Sequence, residues 1–107
     1  MPTHFSLRER ADGERRTLAI AGELDLATAP ELEARAEQLS AQGRELVFDL
    51  GELAFIDSTG LLAILKTREL CAERDCGFFL MPGPPAVQRL FELTGLLDRL
   101  PFLDAPE

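Results

Sequence analysis

The chain is 107 residues long, with 46% hydrophobic and 28% charged residues, which suits one globular domain around a single core and leaves no low-complexity tract. Eleven basic against nineteen acidic residues give a formal net charge of −8, which opposes binding to a nucleic-acid backbone or to an anionic lipid surface. The charged start, Met1 to Arg10, has no apolar signal-peptide core and no window approaches the roughly 18 apolar residues of a membrane span, so a cytoplasmic protein without membrane association is expected.

Phe5, Leu7 and Arg8-Glu9-Arg10 begin an alternating strand that Asp12-Gly13 turns back into Thr17-Leu18-Ala19-Ile20-Ala21, a hairpin. Gly22-Glu23-Leu24-Asp25-Leu26 then leads into Thr28-Ala29-Pro30-Glu31, which has the Thr-x-x-Glu spacing of a capping box with Pro in the first helical turn. Ala29, Leu32, Ala36 and Leu39 fall at helical spacing, Glu31, Glu33, Arg35 and Glu37 form a solvated face, and Gly43 is the expected terminator.

Glu45-Leu46-Val47-Phe48-Asp49-Leu50 is a nearly continuous apolar run, expected to be a central strand covered on both faces. A turn at Asp57-Ser58 opens a second helix. Leu61, Leu62, Ile64, Leu65 and Leu70 form its apolar stripe, and it should end before Gly77. Phe78-Phe79-Leu80-Met81 reads as another strand, stopped by Pro82-Gly83-Pro84-Pro85, which can open a third helix carrying Val87, Leu90, Phe91 and Thr94. Gly95 breaks that helix; Leu96, Leu97 and Leu100 suggest a short fourth helical segment before Pro101, and the last few residues are expected to fray.

Strand, strand, helix, strand, helix, strand, helix is an α/β pattern: crossovers make parallel neighbours and the opening hairpin adds an antiparallel pair, giving one domain over residues 1–107 with a mixed β-sheet and flanking α-helices.

Little in the chain supports catalysis. The single histidine, His4, lies near a terminus, so a Ser-His-Asp arrangement has no placed base. No phosphate-cradling glycine motif and no metal-ligand cluster is present, so no cofactor and no metal are predicted. Asp25 and Asp57 each have a turn or capping role that needs no carboxylate pair. Cys71 and Cys76 read as reduced core thiols. Phe48, Phe55, Phe78, Phe79 and Phe91 are assigned to core packing, whereas Leu96 and Leu97 could stay partly exposed and meet a partner.

The informative stretch is Phe55-Ile56-Asp57-Ser58-Thr59-Gly60-Leu61-Leu62. Either Asp57 or Ser58 can cap the helix that follows, and the free N–H groups of its first turn, with the positive end of the helix dipole, can hold a phosphate of about −1.5 to −2 charges on Ser58.

Gly22-Glu23-Leu24-Asp25, Phe55-Ile56-Asp57-Ser58-Thr59-Gly60-Leu61 and Pro85-Ala86-Val87-Gln88-Arg89-Leu90-Phe91 with Thr94-Gly95-Leu96, in this order and at these distances, resemble the anti-sigma factor antagonist family, whose domain is called STAS. The resemblance implies a partner-switching regulator. Its unphosphorylated form binds an anti-sigma factor serine kinase and releases the sigma factor. The serine after the motif aspartate, here Ser58, is phosphorylated to end that binding, and a phosphatase resets it. It also implies that Glu23 and Asp25 flank Ser58, so that Glu23, Asp25, Asp57, Ser58, Thr59 and Gly60 form the partner surface. Thr59, which can also be phosphorylated, stands where a second serine is common. The same family includes stressosome components and accessory subunits of lipid or anion transport, in which Ser58 would be only a cap, and it permits nucleotide binding, which no residue pattern here demonstrates.

Overall fold

The structure, a computed structural model, describes residues 4–42 and 44–103. The expected terminator Gly43 and the fraying of the last residues lie outside them. Two antiparallel strands, β1 (Ser6–Asp12) and β2 (Arg15–Leu24), are followed by α1 (Ala29–Gln42), β3 (Glu45–Asp49), β4 (Leu53–Ile56), α2 (Ser58–Glu73), β5 (Gly77–Met81) and α3 (Pro85–Leu93). The expected α/β fold with a mixed sheet is present. The strands run in the order β1-β2-β3-β5, with β4 also paired to β2. The β1/β2 pair is antiparallel, and β2/β3, β2/β4 and β3/β5 are parallel.

The hairpin turns at Gly13, whose φ of +63° suits glycine. β2 runs on past Ala21, so Gly22-Glu23-Leu24 is strand rather than a lead-in to the helix. β4 is the element the sequence pattern lacked. Asp49 accepts a hydrogen bond from the Gly51 N–H at 2.9 Å, turning the chain after β3. Four residues then pair with the end of β2, through Gly22↔Leu53, Glu23↔Phe55 and Leu24↔Ile56.

All three helices bury their apolar faces in one cluster with the same side of the sheet, including Leu32 and Leu39 of α1, Ile64 of α2 and Phe91 of α3 against Leu18, Ile20, Leu46 and Phe48. β3 is buried on both faces as expected, but the helices cover only one of them. On the opposite face Val47 is 1% exposed, flanked in register by Thr17 and Phe79, and the Arg15 guanidinium lies 6.0 Å from the Phe79 ring centroid. Side chains from neighbouring strands therefore shield Val47, and a continuous apolar run cannot distinguish that from cover by a helix.

The second helix ends at Glu73, before Gly77 as expected, with the Arg74 N–H donating to the Leu70 and Cys71 carbonyls. Its stripe is narrower than the pattern suggested: Leu61 and Ile64 are buried, but Leu62 is 50% exposed. Past α3 there is no fourth helix among the described residues. Leu100 N–H donates to Leu96 O at 3.0 Å in a single turn. Phe102 then makes a parallel bridge to Leu80 and stacks edge-on against Phe91 at 5.1 Å.

Candidate functional site

The site lies where the ends of β2 and β4 meet the start of α2. Asp57, extended at φ −113° and ψ −173°, is the N-cap of α2 and its carboxylate accepts from the Gly60 N–H at 2.9 Å. The Leu61 N–H donates to the Asp57 carbonyl at 3.0 Å. The alternative left open by the sequence is thus decided: Asp57 caps, and Ser58 is the first helical residue, exposed, with its hydroxyl free of the cap. The Ser58 and Thr59 N–H groups have no hydrogen-bond partner among the described residues, and a helix start is the positive end of the dipole.

Gly60 is buried because the helix start presses on the end of β2. A Cβ there would stand 2.5 Å from the Leu24 carbonyl oxygen, 2.8 Å from Leu24 Cγ and 3.0 Å from Ile56 Cγ1. The same carbonyl accepts from the Asp57 N–H at 3.2 Å. Leu24 thereby joins the Gly-Glu-Leu-Asp segment to the Ser58 turn, which sequence spacing could not establish.

Within that segment Gly22 has φ +92°, and a Cβ would meet the backbone of Phe5 at 2.8 Å, so only glycine serves at this β-bulge. Asp25 folds the corner that follows: its Oδ1 accepts from the Ala27 N–H at 3.0 Å and the Thr28 N–H at 3.2 Å. Thr28 does not form the predicted capping box. Its hydroxyl points back, donating to the Glu23 carbonyl at 2.8 Å and accepting from the Asp25 N–H at 2.9 Å. Those bonds hold the corner next to the helix rather than the helix's own first turn. Asp25 and Asp57 are each engaged by separate backbone N–H groups and show no carboxylate pairing, while Glu23 is exposed beside Phe55 in the sheet.

The surroundings of Ser58 are more apolar than the sequence suggested. Phe55, assigned to the core, is 48% exposed, because β4 pairs with only the last residues of β2 and leaves this side chain outside the cluster. Leu62, one helical turn beyond Ser58, and Leu26, 75% exposed beside Asp25, add to it. The other assigned phenylalanines hold: Phe48, Phe78 and Phe91 are buried and Phe79 is half-buried. Leu97 is 37% exposed, whereas Leu96 packs on the core. In the third motif Gln88 accepts from the Gly83 N–H at 2.8 Å, fixing the proline-rich turn to α3.

His4 is exposed, and no group of three or more metal-binding side chains occurs among the described residues. Cys71 and Cys76 are free and buried. Burial, reinforced by Cys76, pushes the Cys71 thiol up to about 12. No helix among the described residues is long and apolar enough to cross a membrane.

This sheet, the helix started by Asp57 and the Gly-Glu-Leu-Asp corner beside it define a STAS fold, and the family model for the STAS domain matches residues 8–106. The chain belongs to the STAS domain family. It is 34% identical over 80 residues to the anti-sigma-B factor antagonist of Staphylococcus aureus, an alignment covering 74% of each chain. An anti-sigma factor antagonist from Mycobacterium paratuberculosis superposes with a TM-score of 0.84 at 28% identity, covering 97% of this chain and 87% of that one. The Bacillus cell-fate determinant SpoIIAA in its phosphorylated form shares the fold, with a TM-score of 0.73 at 21% identity over 97% of this chain and 93% of that one.

Proposed function

We propose that the chain is an anti-sigma factor antagonist whose partner binding is switched by phosphorylation of Ser58. The observation that carries this reading is the division of labour at the start of α2: Asp57 holds the helix, so Ser58, exposed in the next position, is left free to change its charge. The relatives named as antagonists support the role.

In this reading an anti-sigma factor serine kinase docks over Glu23, Asp25, Asp57, Ser58 and Thr59, with Gly60, buried against Leu24, seating the turn from beneath. The unmodified antagonist occupies the kinase and frees the sigma factor. The Ser58 oxygen then attacks the γ-phosphorus of kinase-bound ATP, its proton passes to a base of the kinase, and ADP leaves. The antagonist is the substrate here and not the catalyst. The added phosphate sits beside the free Ser58 and Thr59 N–H groups, so the fold can hold it, and a phosphatase removes it to reset the switch. All of these steps belong to the cytoplasm, where ATP and sigma factors are.

Incubation with ATP and each anti-sigma factor kinase of the host, followed by mass spectrometry, tests the assignment. One phosphate on Ser58 is expected, with none incorporated by a folded Ser58→Ala variant. Full incorporation into that variant, at Thr59 or elsewhere, rejects Ser58 as the switch.

A further inference from the structure

A second feature continues the Ser58 surface around the side of the molecule. α3 packs beside β4, leaving an open apolar groove of about 340 Å³. Phe55 forms one wall and Ala86, Leu90 and Leu93 the other, a ridge along one helical face at spacings of four and three residues. Phe55 is 48% and Leu93 70% exposed, far more apolar surface than these positions need to hold α3, which is anchored by the buried Val87 and Phe91. Among the described residues Arg89 is the only charged side chain lining the groove, and it makes no salt bridge among them.

We propose that this groove is the second half of the antagonist's docking surface and takes an amphipathic helix of the anti-sigma factor, laid along α3 with a carboxylate opposite Arg89. The inference rests on the reading of Ser58 as the centre of the interface. Two observations choose this occupant.

The first is continuity. Phe55 lies three residues before Ser58 on the strand that feeds α2, about 10 Å away at the rise of a strand, and Glu23 is its neighbour across the pair. A standard interface of about 800 Å² per partner extends beyond that distance, so a partner centred on Ser58 reaches the Phe55 wall of the groove. The second is charge. Around Ser58 the exposed and half-buried acids are Glu23, Asp25 and Asp57, whereas the groove presents the Arg89 guanidinium, without a salt bridge among the described residues, on a chain of net charge −8. The surface is therefore dipolar: a partner needs basic groups at one end and an acid at the other, which fixes the orientation in which it docks. The groove, with apolar residues at helical spacing, is the shape that receives an amphipathic helix.

The test uses the full-length chain and the kinase that phosphorylates it, with affinity measured by calorimetry without ATP. Arg89→Glu places like charge against the partner's acid and should weaken binding by about 10-fold or more, and Leu93→Ala by about 5- to 10-fold. Both residues are exposed, so circular dichroism and the unfolding midpoint should stay at wild-type values. Wild-type affinity in both variants, with binding still lost on Ser58 phosphorylation, overturns the groove and leaves the switch standing. Failure of the wild-type chain to bind any host anti-sigma factor kinase overturns both.

Discussion

Replacing Gly60 by alanine isolates the contact on which the site's geometry depends. In an ordinary helix this change is favourable by about 1 kcal/mol. Here the new Cβ stands 2.5 Å from the Leu24 carbonyl oxygen, whereas comfortable C···O approaches are about 3.3–3.6 Å, so the start of α2 must retreat from β2 by close to an ångström. Leu24 Cγ, at 2.8 Å, blocks a sideways escape. Overpacking of this kind costs about 1–3 kcal/mol, and loss of the Asp57 N–H to Leu24 O bond adds about 0.5–1.5 kcal/mol. After the helix gain is subtracted, a net loss of about 0.5–3.5 kcal/mol remains. At mid-range, about 2 kcal/mol, the melting temperature of a domain this size falls by about 8–16 °C. Urea unfolding followed by circular dichroism measures it directly, and phosphorylation of Ser58 should slow in the same variant because its turn has moved. A Gly60→Ala protein as stable as wild type, or more so, would show that α2 does not press on β2 here.

Two further changes test the cap and the buried thiol. Asp57→Ala removes the bond to the Gly60 N–H and should cost about 0.5–2 kcal/mol in urea unfolding, whereas Ser58→Ala, in the next position and outside the cap, should stay within about 0.5 kcal/mol of wild type. Cys71, held protonated by burial with a pKa raised to about 12 from its ordinary 9.0, favours the folded state fully below pH 9. That contribution is lost as pH rises toward 12, by at most about 1.4 kcal/mol per pH unit. Unfolding midpoints at pH 8, 9.5 and 10.5 should fall more steeply for wild type than for Cys71→Ala, and equal slopes would remove Cys71 as the cause.

The elements with strong periodicity or turn chemistry were legible: the hairpin at Gly13, α1, the body of α2, and β5 followed by the proline turn. β4 was not, because four residues with only the outer two buried carry neither alternation nor a continuous apolar run. The clue available was Gly51 between two apolar segments, where Asp49 folds the turn. At the site, residue types suggested a cap and a phosphoacceptor, but Asp57 and Ser58 are both good caps, and only the backbone geometry separates their roles. Thr28 misled for a related reason: the Thr-x-x-Glu spacing fits a capping box, yet its hydroxyl is taken by Glu23 and Asp25 on the preceding corner. The exposure of Phe55, Leu62 and Leu93 is a tertiary property that a helical or strand pattern cannot report.

A phosphate on Ser58 should block docking and leave the fold intact. A partner seated over Ser58 would have to desolvate that phosphate beside Asp25 and Asp57, and an unpaired charge buried in an interface costs about 2–5 kcal/mol, which is a loss of affinity from roughly 30-fold to several thousand-fold. The direct measurement is calorimetric affinity for the anti-sigma factor kinase of the unmodified and Ser58-phosphorylated chains, with circular dichroism of both. Affinity should fall by that factor while the two spectra superimpose. Equal affinities would contradict the switch, and lost affinity with a collapsed spectrum would mean that the phosphate acts by unfolding the domain.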